Sequence, residues 1–174
     1  MNKKKRQQLK AYTKNILLYV VDKEPIEVLE STPSSIRRAI GRLTLKQLKK
    51  SPGTNKWSIA EIVAHLADSE VVLGYRLRKV ISEPGSRIES YNQNLWAKNL
   101  SYRTADCREK LATFSALRKS NTRMLRSLKV AAWKRYGIHQ ERGRETIERM
   151  VLLHAGHDMN HLKQVQHIAE NIKR

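Results

Sequence analysis

Three observations predict an all-α protein built as a four-helix bundle. Gly and Pro are sparse, at 7 and 4 of 174 residues, while aromatic residues make up only 6% and Leu, Ala, Lys and Arg abound, a composition that favours helix. Helix-start signals recur along the chain, each followed by apolar residues at helical spacing. The link between the second and third of four long periodic segments runs to roughly 20 residues, against the usual 2–8 between bundle helices. Antiparallel neighbours need only short loops, so this link predicts that the second and third helices run parallel. A chain of 174 residues is one domain by length and can bury a real core.

Residues 1–25 read as a basic N-terminal extension ahead of a domain over residues 26–174. Lys3, Lys4, Lys5, Arg6, Lys10 and Lys14 crowd its start, which suggests a solvated tail. Its apolar stretch, Ile16 to Val21, is shorter than the core of an export signal, and no small-x-small cleavage site follows. No run approaches the roughly 20 apolar residues of a membrane-spanning helix. One cysteine, Cys107, excludes an internal disulfide and any cysteine-rich zinc module. A soluble, cytoplasmic protein is expected.

The first helix is expected to open at Thr32-Pro33, a capping hydroxyl before a proline at the first helical position. Ile36, Ile40 and Leu43 continue it as an apolar stripe. Thr44-x-x-Gln47 is a capping box for a further short turn, and Pro52-Gly53-Thr54-Asn55 is loop chemistry. Ser58-x-x-Glu61 is a second capping box. Ile59, Ile62, Val63, Leu66, Leu73, Leu77, Val80 and Ile81 keep helical period from there to about Ser82, where Glu83-Pro84-Gly85 stops the helix. The third helix follows Thr104, with Leu111, Phe114, Leu117, Met124, Leu125 and Leu128 on one side. The region 131–144 reads as irregular. The last helix begins near Thr146.

That last helix carries the candidate site, in LLHAGHDMNHLKQVQHI. His157 and His161 are four apart and so lie one above the other on one helical face. They share the apolar side with Ile147, Met150, Val151, Val165 and Ile168. His65, in WSIAEIVAHLADSE, is inward on the second helix. Buried imidazoles without partners are costly, and three of them with an open fourth position form a metal site capable of chemistry. His154, one turn before His157, is read as a supporting or packing residue. Gln164, one turn past His161, would orient a ligand or simply pack. Asp158 reads as a solvent-facing charge, His139 and His167 as surface residues, and Cys107 as structural. Trp57 and Trp133 read as packing aromatics, and Trp96 is placed at the border of the pocket.

These stretches resemble the DinB-like (DinB/YfiT) superfamily of metalloenzymes from about Val28 to Ile168. The resemblance is carried by VLESTPSSIRRAIGRLTLKQL, GTNKWSIAEIVAHLADSE, YRLRKVI with Pro84, Tyr91 and Trp96, and ERGRETIERMVLLHAGHDMNHLKQV. It implies an up-down-down-up helix order and a frequent homodimer. It also implies that His65, His157 and His161 together bind one divalent metal, expected to be zinc or nickel since imidazole suits several metals. Members of the family include thiol-dependent S-transferases and isomerases.

The leading expectation is therefore a metal-dependent enzyme, either a thiol-dependent S-transferase or a hydrolase, acting on a small molecule such as a low-molecular-weight thiol. The alternative is a non-catalytic, metal-stabilised bundle whose basic surface binds an anionic partner such as nucleic acid. A net charge of +19 and a pI near 10.4 favour such partners. No recognition motif accompanies the charge, however, which disfavours nucleic acid.

Overall fold

The computed structural model describes residues 3–172, and side chains from residue 7 onward. Helix α1 (Lys3–Leu18) is followed by α2 (Pro25–Ile40), the single turn α3 (Leu45–Leu48) and α4 (Ile59–Ser82). A crossover then holds strand β1 (Arg87–Ile88), helix α5 (Gln93–Asn99) and a 3-10 turn. Helix α6 (Cys107–Arg126) leads through a second 3-10 turn to β2 (Tyr136–His139), β3 (Gly143–Thr146) and α7 (Ile147–Ile172).

Helices α2, α4, α6 and α7 form the four-helix bundle, with its apolar core in two clusters. In one cluster Ile36 and Ile40 meet Ile59 and Ile62, Leu111 and Phe114, and Val165 and Ile168. In the other, Ile26 and Leu29 meet Leu77 and Val80, Leu125, and Met150 and Val151. The C-terminal halves of α2 and α7 thus pack with the N-terminal halves of α4 and α6. That is the up-down-down-up order, with α4 and α6 parallel as the long crossover demands.

Ser58 caps α4 in a complete capping box with Glu61, and Thr44 does the same for α3 with Gln47. Asp106 caps α6 by accepting from the N–H groups of Arg108 and Glu109. Each satisfies backbone donors that a helix start leaves without partners.

Four readings of the sequence need correction. Helix α2 opens eight residues earlier than Thr32-Pro33, because Glu24-Pro25 supplies the same pair of signals. The Glu24 carboxylate accepts from Ile26 N–H at 2.8 Å and Glu27 N–H at 3.2 Å. Pro33 therefore lies inside the helix, where its missing N–H leaves the Leu29 carbonyl without an i+4 donor. Arg118 fills that gap, donating from Nη1 to Leu29 O at 2.6 Å.

Residues 7–20 are not a free tail, although Lys10 and Lys14 are exposed as expected; the side chains of Lys3 to Arg6 lie outside the described residues. Helix α1 lies against α7 with Ile16 buried, followed by buried Val20. Gly156 makes the approach possible, since a Cβ there would collide with the Ile16 backbone.

Residues 136–146 form a hairpin rather than irregular chain, β2 pairing antiparallel with β3 and parallel with β1. The fourth correction concerns two side chains placed at the surface: His139 and Asp158 are both buried, whereas His167 is exposed as expected.

Candidate metal centre

His65 comes from the second turn of α4, His157 and His161 from successive turns of α7, and the three rings meet. Centroids are 5.1 Å apart for His65 and His157, 4.9 Å for His65 and His161, and 4.5 Å for His157 and His161. The Nε2 atoms of His65 and His157 are 3.0 Å apart, and one nitrogen from each ring falls within 4.8 Å of the others. An ion bound by imidazoles at about 2.0–2.1 Å in tetrahedral geometry holds nitrogen pairs roughly 3.3 Å apart. The three side chains fit a divalent ion on this ground.

Burial fixes their charge state. It pushes His65 well below the ordinary imidazole range, reinforced by repulsion from His157 and His161. Burial also lowers His157, and it brings His161 down to about 3, again with repulsion from His157. All three are neutral at pH 7 and offer lone pairs. Gln164 orients His161, its Oε1 lying 3.0 Å from Nδ1; when it accepts that proton, Nε2 is left as the free donor atom. Trp57 leans on His65 with centroids 5.0 Å apart and shields its ring.

His157 and His161 line a cleft of about 1260 Å³ that opens past α1 and the small sheet, with Tyr12, Tyr91, Arg76 and His139 among its walls. Trp96 meets Tyr91 at a tilt, centroids 4.7 Å apart, and Tyr91 rather than Trp96 lines the cleft.

The sequence pattern of the DinB superfamily matches residues 29–165. The chain belongs to that superfamily. It is 29% identical over 151 residues to the Bacillus subtilis (strain 168) protein named "Putative metal-dependent hydrolase YfiT", covering 86% of this chain and 83% of that protein. A protein of Oceanobacillus iheyensis with the same description is 27% identical over 146 residues, 84% of each chain. The solved structure of YfiT from Bacillus subtilis, described as an unusual four-helix bundle, superposes with a TM-score of 0.80 at 23% identity. That match covers 99% of this chain and 90% of the other, so the shared fold includes α1.

Beneath the triad of this DinB-superfamily chain lies a polar layer that the sequence reading missed. Arg118 of α6 is 2% exposed and Glu70 and Asp158 are wholly buried. Arg118 donates to Glu70 Oε2 from Nε and Nη2 at 2.9 and 2.7 Å, and from Nη1 to Asp158 Oδ2 at 2.6 Å. Asn121 donates to Glu70 Oε1 at 2.8 Å, and His154 Nε2 stands 3.3 Å from Glu70. Burial alone would raise both carboxylates; the Arg118 guanidinium instead holds Glu70 at about 2 and Asp158 well below the carboxylate range. Two carboxylates face one guanidinium, so the layer keeps one net negative charge next to the histidines. Asp158 Oδ1 is 3.7 Å from His157 Nδ1, and neither atom has a hydrogen-bond partner.

A signal for this layer was present in the sequence. Glu70, Arg118 and Asp158 each sit on the apolar stripe of their helix: Glu70 four after Leu66, Arg118 four after Phe114, Asp158 four before Leu162. A charge on a stripe marks a buried partner, and here Arg118 partners both acids.

Proposed function

We propose that this chain is a metal-dependent enzyme whose divalent ion, zinc or nickel, is held by His65, His157 and His161, and which acts as a hydrolase or a thiol-dependent S-transferase on a small molecule. The observation that carries this reading is the convergence of three buried, neutral imidazoles at the wall of an open cleft. The excess negative charge of the Glu70–Arg118–Asp158 layer supports a cation there. The descriptions of the relatives as metal-dependent hydrolases point the same way.

When bound, a divalent ion supplies Lewis acidity and brings the pKa of a coordinated water or thiol toward neutrality. The chain's own residues set the geometry. Gln164 accepts from His161 Nδ1–H and holds its Nε2 toward the shared centre. Asp158 stands where a small movement lets it accept from His157 Nδ1–H, the familiar outer-shell support for a ligating histidine. Trp57 keeps water from the back of His65. The open cleft leaves the substrate's side accessible, which favours catalysis over a closed structural site. Family resemblance adds a homodimer as the working assembly.

The direct test is a screen of hydrolysable esters and amides, and of low-molecular-weight thiols with electrophiles. Activity should disappear with a chelator and return with added zinc or nickel; a metal-loaded protein inert to every substrate class would count against an enzyme.

A second reading has one observation behind it. Residues 31–60 contain seven Lys or Arg and no Asp or Glu; all seven are exposed, and among the described residues none is in an ion pair with an acid. They gather at the bundle end where α2 stops and α4 and α6 begin, a surface suited to a polyanion. Binding of duplex DNA through this end would fall steeply with salt, since released counterions drive it. Salt-insensitive binding would argue against it.

A further inference from the structure

We propose that the sheet end of the cleft is an oxyanion site made by Arg76 and the Nε2–H of His139, so that the substrate carries a carboxylate or phosphoryl group away from its reacting atoms. The assignment of a substrate rests on the enzymatic reading above, but the anion site itself does not.

His139 is 2% exposed and lines the cleft at the end of β2. Its Nδ1 accepts from the backbone N–H of Glu141 at 3.1 Å. Burial, followed by repulsion from Arg142, lowers its pKa to about 4, so the ring is neutral at pH 7. A neutral imidazole whose Nδ1 accepts must carry its proton on Nε2. That Nε2–H has no partner. Buried donors are almost always satisfied, and this one is left over just beneath the wall of the cleft, covered from solvent until a small shift of that wall admits an acceptor.

Arg76 stands at the same place. Its Nη2 donates to the carbonyl of Glu89, the residue after Ile88, and Ile88 is the β1 partner of His139 in the sheet. The face of Tyr91 lies 5.9 Å from its guanidinium carbon. Among the described residues Arg76 makes no ion pair with an acid. The neighbouring cation Arg142 is itself taken up by Glu145 through two bonds, at 2.5 and 2.9 Å. Its charge still lowers the Arg76 pKa, after burial has done so. Glu141, the remaining acid of this wall, is engaged as well. The result is a partly buried guanidinium with donors to spare beside a buried N–H without an acceptor. A planar or tetrahedral oxyanion satisfies both, through the charge-assisted, fork-shaped contacts at which arginine excels.

His157 and His161 line the same cleft. A substrate bound by its anionic end at the sheet would extend its other end toward them.

The test is calorimetric titration of the full chain, metal-loaded and after chelation, with malonate, with inorganic phosphate and with neutral malonamide. Malonate or phosphate should bind and malonamide should not; the tighter of the two anions identifies the group. Arg76→Gln should weaken anion binding about tenfold or more, while Arg76→Lys keeps part of it. Both variants should retain wild-type metal content and melting temperature. In nitrogen-15 spectra His139 should show the Nε2–H tautomer, with that resonance moving on addition of anion. Unchanged affinity in Arg76→Gln, equal binding of malonamide, or loss of anion binding on chelation would overturn the proposal. Anion binding that persists in a protein unable to hold metal would leave it standing and sink the metal reading alone.

Discussion

Gln164 and Arg118 support the same three histidines in different ways, and substitution should separate them. Gln164 is exposed and its side chain bonds His161, so Gln164→Ala should leave the fold intact and lower metal affinity about tenfold, the lower end of the usual range for such a supporting partner. Competition with a chelator of known affinity measures it. Arg118 holds two buried carboxylates together. Removing it leaves both uncompensated, so Arg118→Met should cost about 3–5 kcal/mol of stability, read by denaturant unfolding.

The pH dependence follows from the same layer. Glu70 titrates at about 2 in the folded chain, below its ordinary 4.5. A depressed carboxylate contributes stability that is present above its unfolded pKa and lost as pH falls through the folded value. The stability of the wild type should therefore decline between about pH 4.5 and 2. Glu70→Gln should start less stable at pH 7 and lose less across that window. An equally steep acid decline in the variant would show that other groups carry it.

At the scale of elements, α1 decides how much chain the fold needs. Ile16 and Val20 are 4% and 2% exposed, and burying an aliphatic side chain of this size contributes about 1.5–3 kcal/mol. Deleting residues 1–20 should lower the melting temperature and open the cleft wall that Tyr12 and Ile16 line. Gly156→Ala should do the same by steric means, pushing α1 off α7 and destabilising without touching a histidine. An unchanged melting temperature in both would show that α1 packs loosely. The sequence displayed this helix faintly: Leu9, Tyr12, Ile16 and Val20 keep helical spacing, but six basic residues in fourteen mask it. Helices α4 and α7 were legible because capping chemistry and long apolar stripes agree. The β2–β3 hairpin was not, because its alternation is inverted: Ile138 faces out while Gly137 and His139 face in. No two-residue pattern of apolar side chains survives that arrangement. Helix α2 was misplaced because Thr32-Pro33 mimics a start inside a helix whose true cap is a glutamate.

For the whole molecule, the polar layer separates two apolar clusters and lies directly under the triad. The bundle thus has the burial to fold around a charged centre, and the histidines occupy a place that chain topology, not the ion, creates. This explains why His65, His157 and His161 were legible at the outset: i, i+4 spacing fixes two of them, and the family pattern supplies the third. The supports beneath them come from three helices with no sequence proximity, so only their shared stripe positions hinted at contact. Charge was legible in amount but not in place; +19 resolves into a segment, residues 31–60, with seven bases and no acid at one bundle end, and an opposite end where Arg126 pairs with Glu30 and Lys134 with Glu148.

The proposed metal centre has three histidines on two helices holding one divalent ion. Metal analysis of the purified full chain beside His65→Ala, His157→Ala and His161→Ala tests it most directly. About one zinc or nickel per wild-type chain is expected, with substoichiometric metal in each variant and helical content retained because apolar burial supplies most of the folding energy. Full metal occupancy in the His157→Ala and His161→Ala proteins, or no divalent ion bound by the wild type at any accessible concentration, would contradict it.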